Sequence, residues 1–278
     1  MKKGITNTGT SIKNYQDLEF TDNFMFCKIL YNNERLCREL IELLLDVEVD
    51  HIEYKSAEYA IKETSDSRGI RLDVYVRDDK GTVFDLEMQN ATEPALAKRS
   101  RYYQSMIDID HLPSGGNFDN LPDSYVVFIC MFDAFKKGLH KYEFRELCLQ
   151  DKDIELGSGT SKVYINAKSK EKDMSEDMRA FLDFLCGEEA RSNMTKDIAK
   201  SIEEAKSYKP WEAEYIGYYL EMAREREAGR EEGREEGKSD ILMMNNYLIE
   251  QERYEDLERA TKDEEFRESI LKEMSKVL

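Results

Sequence analysis

Asp73, Glu87 and Gln89 are the residues of this chain best suited by type and spacing to do chemistry. Two carboxylates that converge can hold a hard divalent cation such as magnesium, which takes oxygen ligands. A cation held in this way can activate water and offset charge on a phosphate oxygen. Glu87 and Gln89 are two apart, so on a strand they project from the same face. Asp73 lies between Leu72 and Val74, where a carboxylate is costly unless it is paired, hydrogen-bonded or bound to metal.

The elements that must position these groups can be read from the same stretch. Ile70, Leu72, Val74 and Val76 alternate with Arg71, Asp73, Tyr75 and Arg77, the period of a strand with one apolar face. A turn over Asp78–Gly81 leads to a return strand. Phe84, Leu86 and Met88 fall on one face of that strand, and Asp85, Glu87 and Gln89 on the other. The simplest hairpin register brings the polar faces together. The same pattern also suits a solvated sheet face on which Arg71 and Arg77 neutralise the acids, and alternation alone leaves both readings open. Asp85 shares the face of Glu87 and is a candidate third acid outside the main set.

Around the hairpin, an amphipathic helical pattern carries Phe24, Ile29, Leu36, Leu40 and Leu44, with a break near Asn32-Asn33 and Thr21 as N-cap. Strands are predicted over 51–62, 125–132, 141–147 and 162–167. Tyr125–Phe132 is apolar enough for a central buried strand. Helices are predicted from Pro94 onward, over 175–186 and over 193–205. This order predicts an α/β fold, a mixed central sheet flanked by helices. On the helix after the hairpin, Lys98 and Arg101 lie three apart and could grip backbone phosphates or form a solvated face. Tyr102 and Tyr103 are read as core packing rather than base stacking, and Asp22 as a helix-start residue rather than one that orients a ligand.

Beyond Pro210, Gly229, Gly233 and Gly237 repeat every four residues, as do Arg230, Arg234 and Lys238. That pattern suits a flexible charged connector, or a helix whose small face packs against a second copy of the chain. Ile241–Leu278 reads as one or two short amphipathic helices.

Composition sets the bounds. The chain has 278 residues, 40% hydrophobic and 36% charged, enough for one sizeable core plus a charged appendage. It has no apolar run near the ~20 residues that span a bilayer, and its N-terminus lacks the apolar core of a secretion signal. A cytoplasmic protein is therefore expected. A net charge of −18 excludes a general nucleic-acid coat, though a local basic lip would suffice for an enzyme. Glu212–Leu278 holds 20 acids and 11 bases, half of the net negative charge. Cys27, Cys37, Cys130, Cys148 and Cys186 are widely spaced and read as buried thiols. His51, His111 and His140 show no metal spacing, and no phosphate-binding glycine motif occurs.

LDVYV, a short turn and DLEMQ resemble the core of the PD-(D/E)XK nuclease superfamily, and more closely its Rpn branch of recombination-promoting nucleases, also classed as transposases. The opening DLEFTDNFMFCKIL, the Lys98–Tyr103 helix and the glutamate–glycine–arginine tail are similar too. The likeness implies a restriction-endonuclease-like core over residues 14–208 and a charged helical tail over 209–278, a candidate oligomerisation segment. It implies that Asp73 and Glu87 bind magnesium, or manganese in its place, with the Met88 carbonyl as a further ligand. Gln89 then stands where most of the superfamily has lysine, so a neutral group replaces a positive charge. Lys98 and Arg101 would position the DNA backbone. The expected function is metal-dependent DNA endonuclease activity linked to recombination, mobile elements or defence, in a homo-oligomer, a dimer, joined through the tail. The alternative is a degenerate member that binds nucleic acid or protein through tail-mediated assembly.

Overall fold

The computed structural model describes residues 13–54, 59–61 and 70–274. Its elements are α1 (Asn23–Tyr31), α2 (Glu34–Leu45), β1 (Ile52–Tyr54), β2 (Tyr59–Ile61), β3 (Ile70–Leu72), β4 (Val74–Asp78), β5 (Val83–Gln89), α3 (Leu96–His111), β6 (Ser124–Cys130), β7 (Lys141–Phe144), β8 (Thr160–Asn166), α4 (Glu176–Leu185), α5 (Asn193–Ser207), α6 (Lys209–Glu250), α7 (Tyr254–Lys262) and α8 (Glu264–Met274).

Six strands form one mixed sheet in the order β1-β4-β5-β6-β8-β7. β5, β6 and β8 run parallel, while β1, β4 and β7 run against their neighbours. A parallel neighbour cannot follow through a tight turn, so α3 supplies the crossover from β5 to β6. The antiparallel step from β4 to β5 needs only the turn at Asp78. There Gly81 takes a positive φ of 89° and donates its N–H to Asp78 O at 3.1 Å.

The face of the sheet that carries Asp85, Glu87 and Gln89 is covered by α3. Tyr75, Val83, Val126, Phe128 and Tyr164 meet Leu96, Met106 and Ile107 there in one buried cluster. α1, α2, α4 and α5 pack on one another, and α1 also reaches β4. β5 is buried on both faces except at its last residue, which is why the wet-face reading of the hairpin fails.

Four sequence expectations shift. The strand expected over 70–77 breaks at Asp73: β3 pairs with β2 in a separate two-stranded ribbon, and β4 pairs with β5. Asp22, not Thr21, is the N-cap residue of α1. Its carboxylate accepts from the Glu19 N–H at 2.7 Å and from Lys13 at 2.6 Å instead of capping the helix. The helix placed from Pro94 onward starts at Leu96. Cys186 is exposed and Cys148 half-buried, whereas Cys27, Cys37 and Cys130 are buried; all five remain thiols.

The chain divides into two compact units, Met1–Glu212 and Ala213–Leu278. α6 is one continuous helix of 42 residues that includes all three repeated glycines. In the second unit Met244, Leu248, Ala260, Ile270 and Met274 form a small core of their own. Among the described residues no helix is long and apolar enough to cross a membrane.

Candidate active site

The break at Asp73 creates the site. Val74 pairs with Leu86, so one step further the same register sets Asp73 opposite Glu87. Asp73 lies outside both ladders, and its backbone N–H is taken by a side chain: it donates to Glu87 Oε1 at 3.0 Å. In return, Asp73 Oδ2 accepts the Met88 N–H at 3.1 Å. The two acids that the sequence pairs are thus laced together through each other's strands.

α1 braces Asp73 from the other side. Asn23, at its first turn, donates Nδ2 to Asp73 Oδ1 at 2.9 Å, and the Cys27 thiol, one turn on, reaches the Asp73 carbonyl at 3.2 Å. The opening segment thereby acquires a function in the site that its sequence pattern did not disclose.

α3 supplies the cation. Arg99 Nη2 donates to Gln89 Oε1 at 2.8 Å and lies 3.5 Å from Glu87 Oε2, while Nη1 pairs with Glu93. The guanidinium lies over Phe128 at 4.8 Å and Tyr103 at 5.4 Å, a geometry that favours a planar cation. Gln89 is held at both ends, since its Nε2 donates to Ala91 O at 2.6 Å. Lys98 and Arg101 lie on the exposed side of α3 and Tyr102 is half-exposed, whereas Tyr103 packs against the core.

Asp85 is the most buried acid of the group, with no exposed surface. No donor reaches either of its oxygens among the described residues; the adjacent Glu87 carboxyl can serve as one only when it carries the proton. Burial, reinforced by the charge of Asp73, pushes Asp85 well above the ordinary carboxylate range. Burial also raises Glu87, with Asp73 and Asp85 adding to the effect and the hydrogen bond from the Asp73 N–H, then Arg99, opposing it. Asp73, Asp85 and Glu87 gather beside the Arg99 guanidinium, which Glu93 also shares, so full ionisation would leave a deficit of positive charge there. A divalent cation or protons would make up that deficit.

No group of three or more acidic, histidine or cysteine ligands at metal-binding geometry occurs among the described residues. Two carboxylates and a carbonyl still fit a magnesium ion, which commonly keeps several of its waters. The orphaned carboxyl of Asp85 beside them fits a site built to meet positive charge. Arg77, a proposed neutraliser, instead pairs with Glu53 at 3.3 Å on the surface, and the side chain of Arg71 lies outside the described residues.

A mixed α/β sheet with an acidic pair where a central hairpin opens, flanked by helices on its faces, is a restriction-endonuclease-like core. A family model described as PD-(D/E)XK nuclease family transposase matches residues 19–209, and the chain belongs to that family. No curated protein and no solved structure matches the chain.

Proposed function

We propose that the chain is a metal-dependent DNA endonuclease that hydrolyses phosphodiester bonds during recombination, in mobile elements or in defence against foreign DNA. The observation that carries the reading is the lacing of Asp73 to Glu87 at the break in the strand, within the segment matched by the nuclease family. Asp73 and Glu87, with the Met88 carbonyl, are the groups that would hold magnesium, or manganese in its place. Such an ion lowers the barrier to attack by water at phosphorus and offsets charge on the leaving oxygen. Asn23 fixes the rotamer of Asp73. Arg99, held in place by Gln89, supplies the positive charge that position 89 lacks, and Lys98 and Arg101 steady the backbone beside it. Residues 14–208 form the catalytic core, and residues 209–278 join two copies in a cytoplasmic dimer.

The opposing reading is a member that binds without cutting. It draws on Gln89, whose side chain is committed to Arg99 and Ala91 rather than to an attacking water. Manganese binding followed by electron paramagnetic resonance, with and without Glu87→Gln, tests the ligand set. Hydrolysis of plasmid DNA under the same conditions tests the reaction. Tight manganese binding without hydrolysis would favour the binding-only reading.

A further inference from the structure

Because β5, β6 and β8 are parallel, their C-terminal ends share the end of the sheet at which Asp73 and Gln89 lie. Two loops leave from there, after β6 and after β8, and both are rich in lysine: Lys136 and Lys137 in the first, Lys168, Lys170 and Lys172 in the second. All five are exposed, and none forms an ion pair with a described residue. In a chain of net charge −18 such a concentration calls for a reason.

The loops are built to present these side chains. Asp133 accepts from the N–H groups of Phe135 at 3.1 Å, Lys136 at 2.8 Å and Gly138 at 2.7 Å, and from the Tyr142 hydroxyl at 2.7 Å. Burial pushes the Asp133 carboxyl up, but these four bonds together outweigh it and hold the group below the ordinary carboxylate range. The same knot holds Lys136 at a φ of 57°, in the left-handed region that a lysine rarely occupies. In the second loop, Asn166 Oδ1 accepts the Lys168 N–H at 3.0 Å, and Glu171 accepts from the His140 N–H at 2.9 Å and from its ring. The Ser169 hydroxyl donates to the Gly138 carbonyl at 2.6 Å, which ties the two loops into one ledge.

Three acids lie in the ledge, Asp133, Glu171 and Asp173, and the first two are consumed by these internal bonds. The outward charge is therefore positive. The ledge is continuous with the site: the Met131 N–H donates to the Gln89 carbonyl at 3.0 Å, and Lys168 lines a cleft of about 520 Å³ together with Asn90 and Met131, a cleft that Glu19, Glu188 and Glu203 also line. It begins one strand away from β5, or ~4.8 Å, and extends over the next two strands.

We infer that this lysine ledge is the main surface that binds the phosphate backbone of the nucleic acid whose cleavage is proposed above. The inference rests on that nuclease reading and assigns the backbone grip to the ledge in addition to Lys98 and Arg101. Exposed lysines bind phosphates as point charges, so the contact is independent of sequence and strongly dependent on salt.

Fluorescence anisotropy of a labelled duplex and a labelled single strand, in EDTA and with the full chain carrying Asp73→Ala, reads binding apart from cutting. Two ledge pairs, Lys136→Glu with Lys137→Glu and Lys168→Glu with Lys170→Glu, are compared with Lys80→Glu with Lys152→Glu. The control pair makes the same charge change at the opposite end of the sheet. Each ledge pair should weaken binding at least ~10-fold and lower the log–log salt slope by about 2, while the control pair stays within ~2-fold. The corresponding Lys→Gln pairs, checked by thermal melting, exclude misfolding as the cause. Ledge variants that bind like their parent, or a control pair that weakens binding as much, would overturn the ledge and leave the nuclease reading standing. A parent that binds neither probe would overturn both.

Discussion

The β4–β5 hairpin and helix α6 use the same residue types to opposite ends. In the hairpin, Asp73, Asp85 and Glu87 are buried near the Arg99 guanidinium, and the bonds from the Asp73 N–H to Glu87 and from the Met88 N–H to Asp73 fix side chains across strands. In α6, Glu231 pairs with Arg234 and Glu235 with Lys238, each three residues apart, and all four are more than half exposed. Exposed pairs of that kind contribute at most a few tenths of a kcal/mol and leave their charges in water, ~0.3–0.5 for the helical case. Burial makes the hairpin acids chemically consequential, because a desolvated carboxylate must find a proton, an arginine or a metal. On the proposed reading, acid burial rather than acid count marks where the chemistry lies.

The strongest way to break the comparison is to remove a hairpin acid. Asp73→Ala or Glu87→Ala should reduce metal-dependent cutting by on the order of 10³-fold or more. The same change at Glu231 should leave cutting unaltered in a plasmid assay. Equal losses at both places would erase the distinction.

Arg99→Gln comes next. It leaves Glu87 buried beside Asp73 and Asp85 without that guanidinium, and on the proposed reading cutting should fall roughly 10- to 100-fold, the loss expected of a group that orients a metal ligand. The melting temperature should also fall at pH 8 and recover toward pH 5, where the carboxyls take protons instead. Gln89→Lys would set an ammonium against Arg99 and should lower activity, although from the sequence alone it looks like a return to the common lysine. Combining it with Arg99→Gln should restore part of the loss.

The pH dependence of stability sharpens the point. Asp85 and Glu87 titrate above the ordinary carboxylate range when folded and within it when unfolded. Their protonation therefore favours the folded chain fully below that ordinary range, and the benefit is lost as pH rises through the raised values. Asp85→Asn removes its share, so the metal-free variant should melt about 2–8 °C higher than wild type at pH 8 and at nearly the same temperature near pH 4. A variant that melts lower at pH 8 would mean that the ionised Asp85 has a partner that holds it.

The smallest effect belongs to the tail. A methyl group added at Gly229, Gly233 or Gly237 meets nothing within 4 Å in the chain itself. Alanine at these positions should therefore firm the isolated helix by roughly 1 kcal/mol each. If the glycine stripe joins two copies, the same substitutions should lower the mass measured by light scattering, as should truncation before Glu212. An unchanged mass in both would leave the stripe as a simple helical connector.

Much of this was legible in the sequence because it rests on local pattern. The alternation around Val74 and Leu86 set the hairpin, the apolar run of β6 set the centre of the sheet, and both hold in the fold. The partners that complete the site come from elsewhere in the chain. Asn23 is 50 residues from Asp73, and Arg99 is one charged residue among several on α3. Nothing in their spacing separates Arg99 from Lys98 or Arg101; only the rotation of α3 over the sheet does. From the sequence Asp85 is only a candidate third acid outside the main set, because period-2 alternation cannot distinguish a wet face from one covered by a crossover helix.

The most direct test is plasmid nicking by wild type and Asp73→Ala side by side, with magnesium, manganese or EDTA. Nicking by the wild type alone, and only with a divalent metal, is the expected result. Equal nicking by both proteins would contradict the site, and no nicking by a folded wild type would contradict the nuclease reading itself.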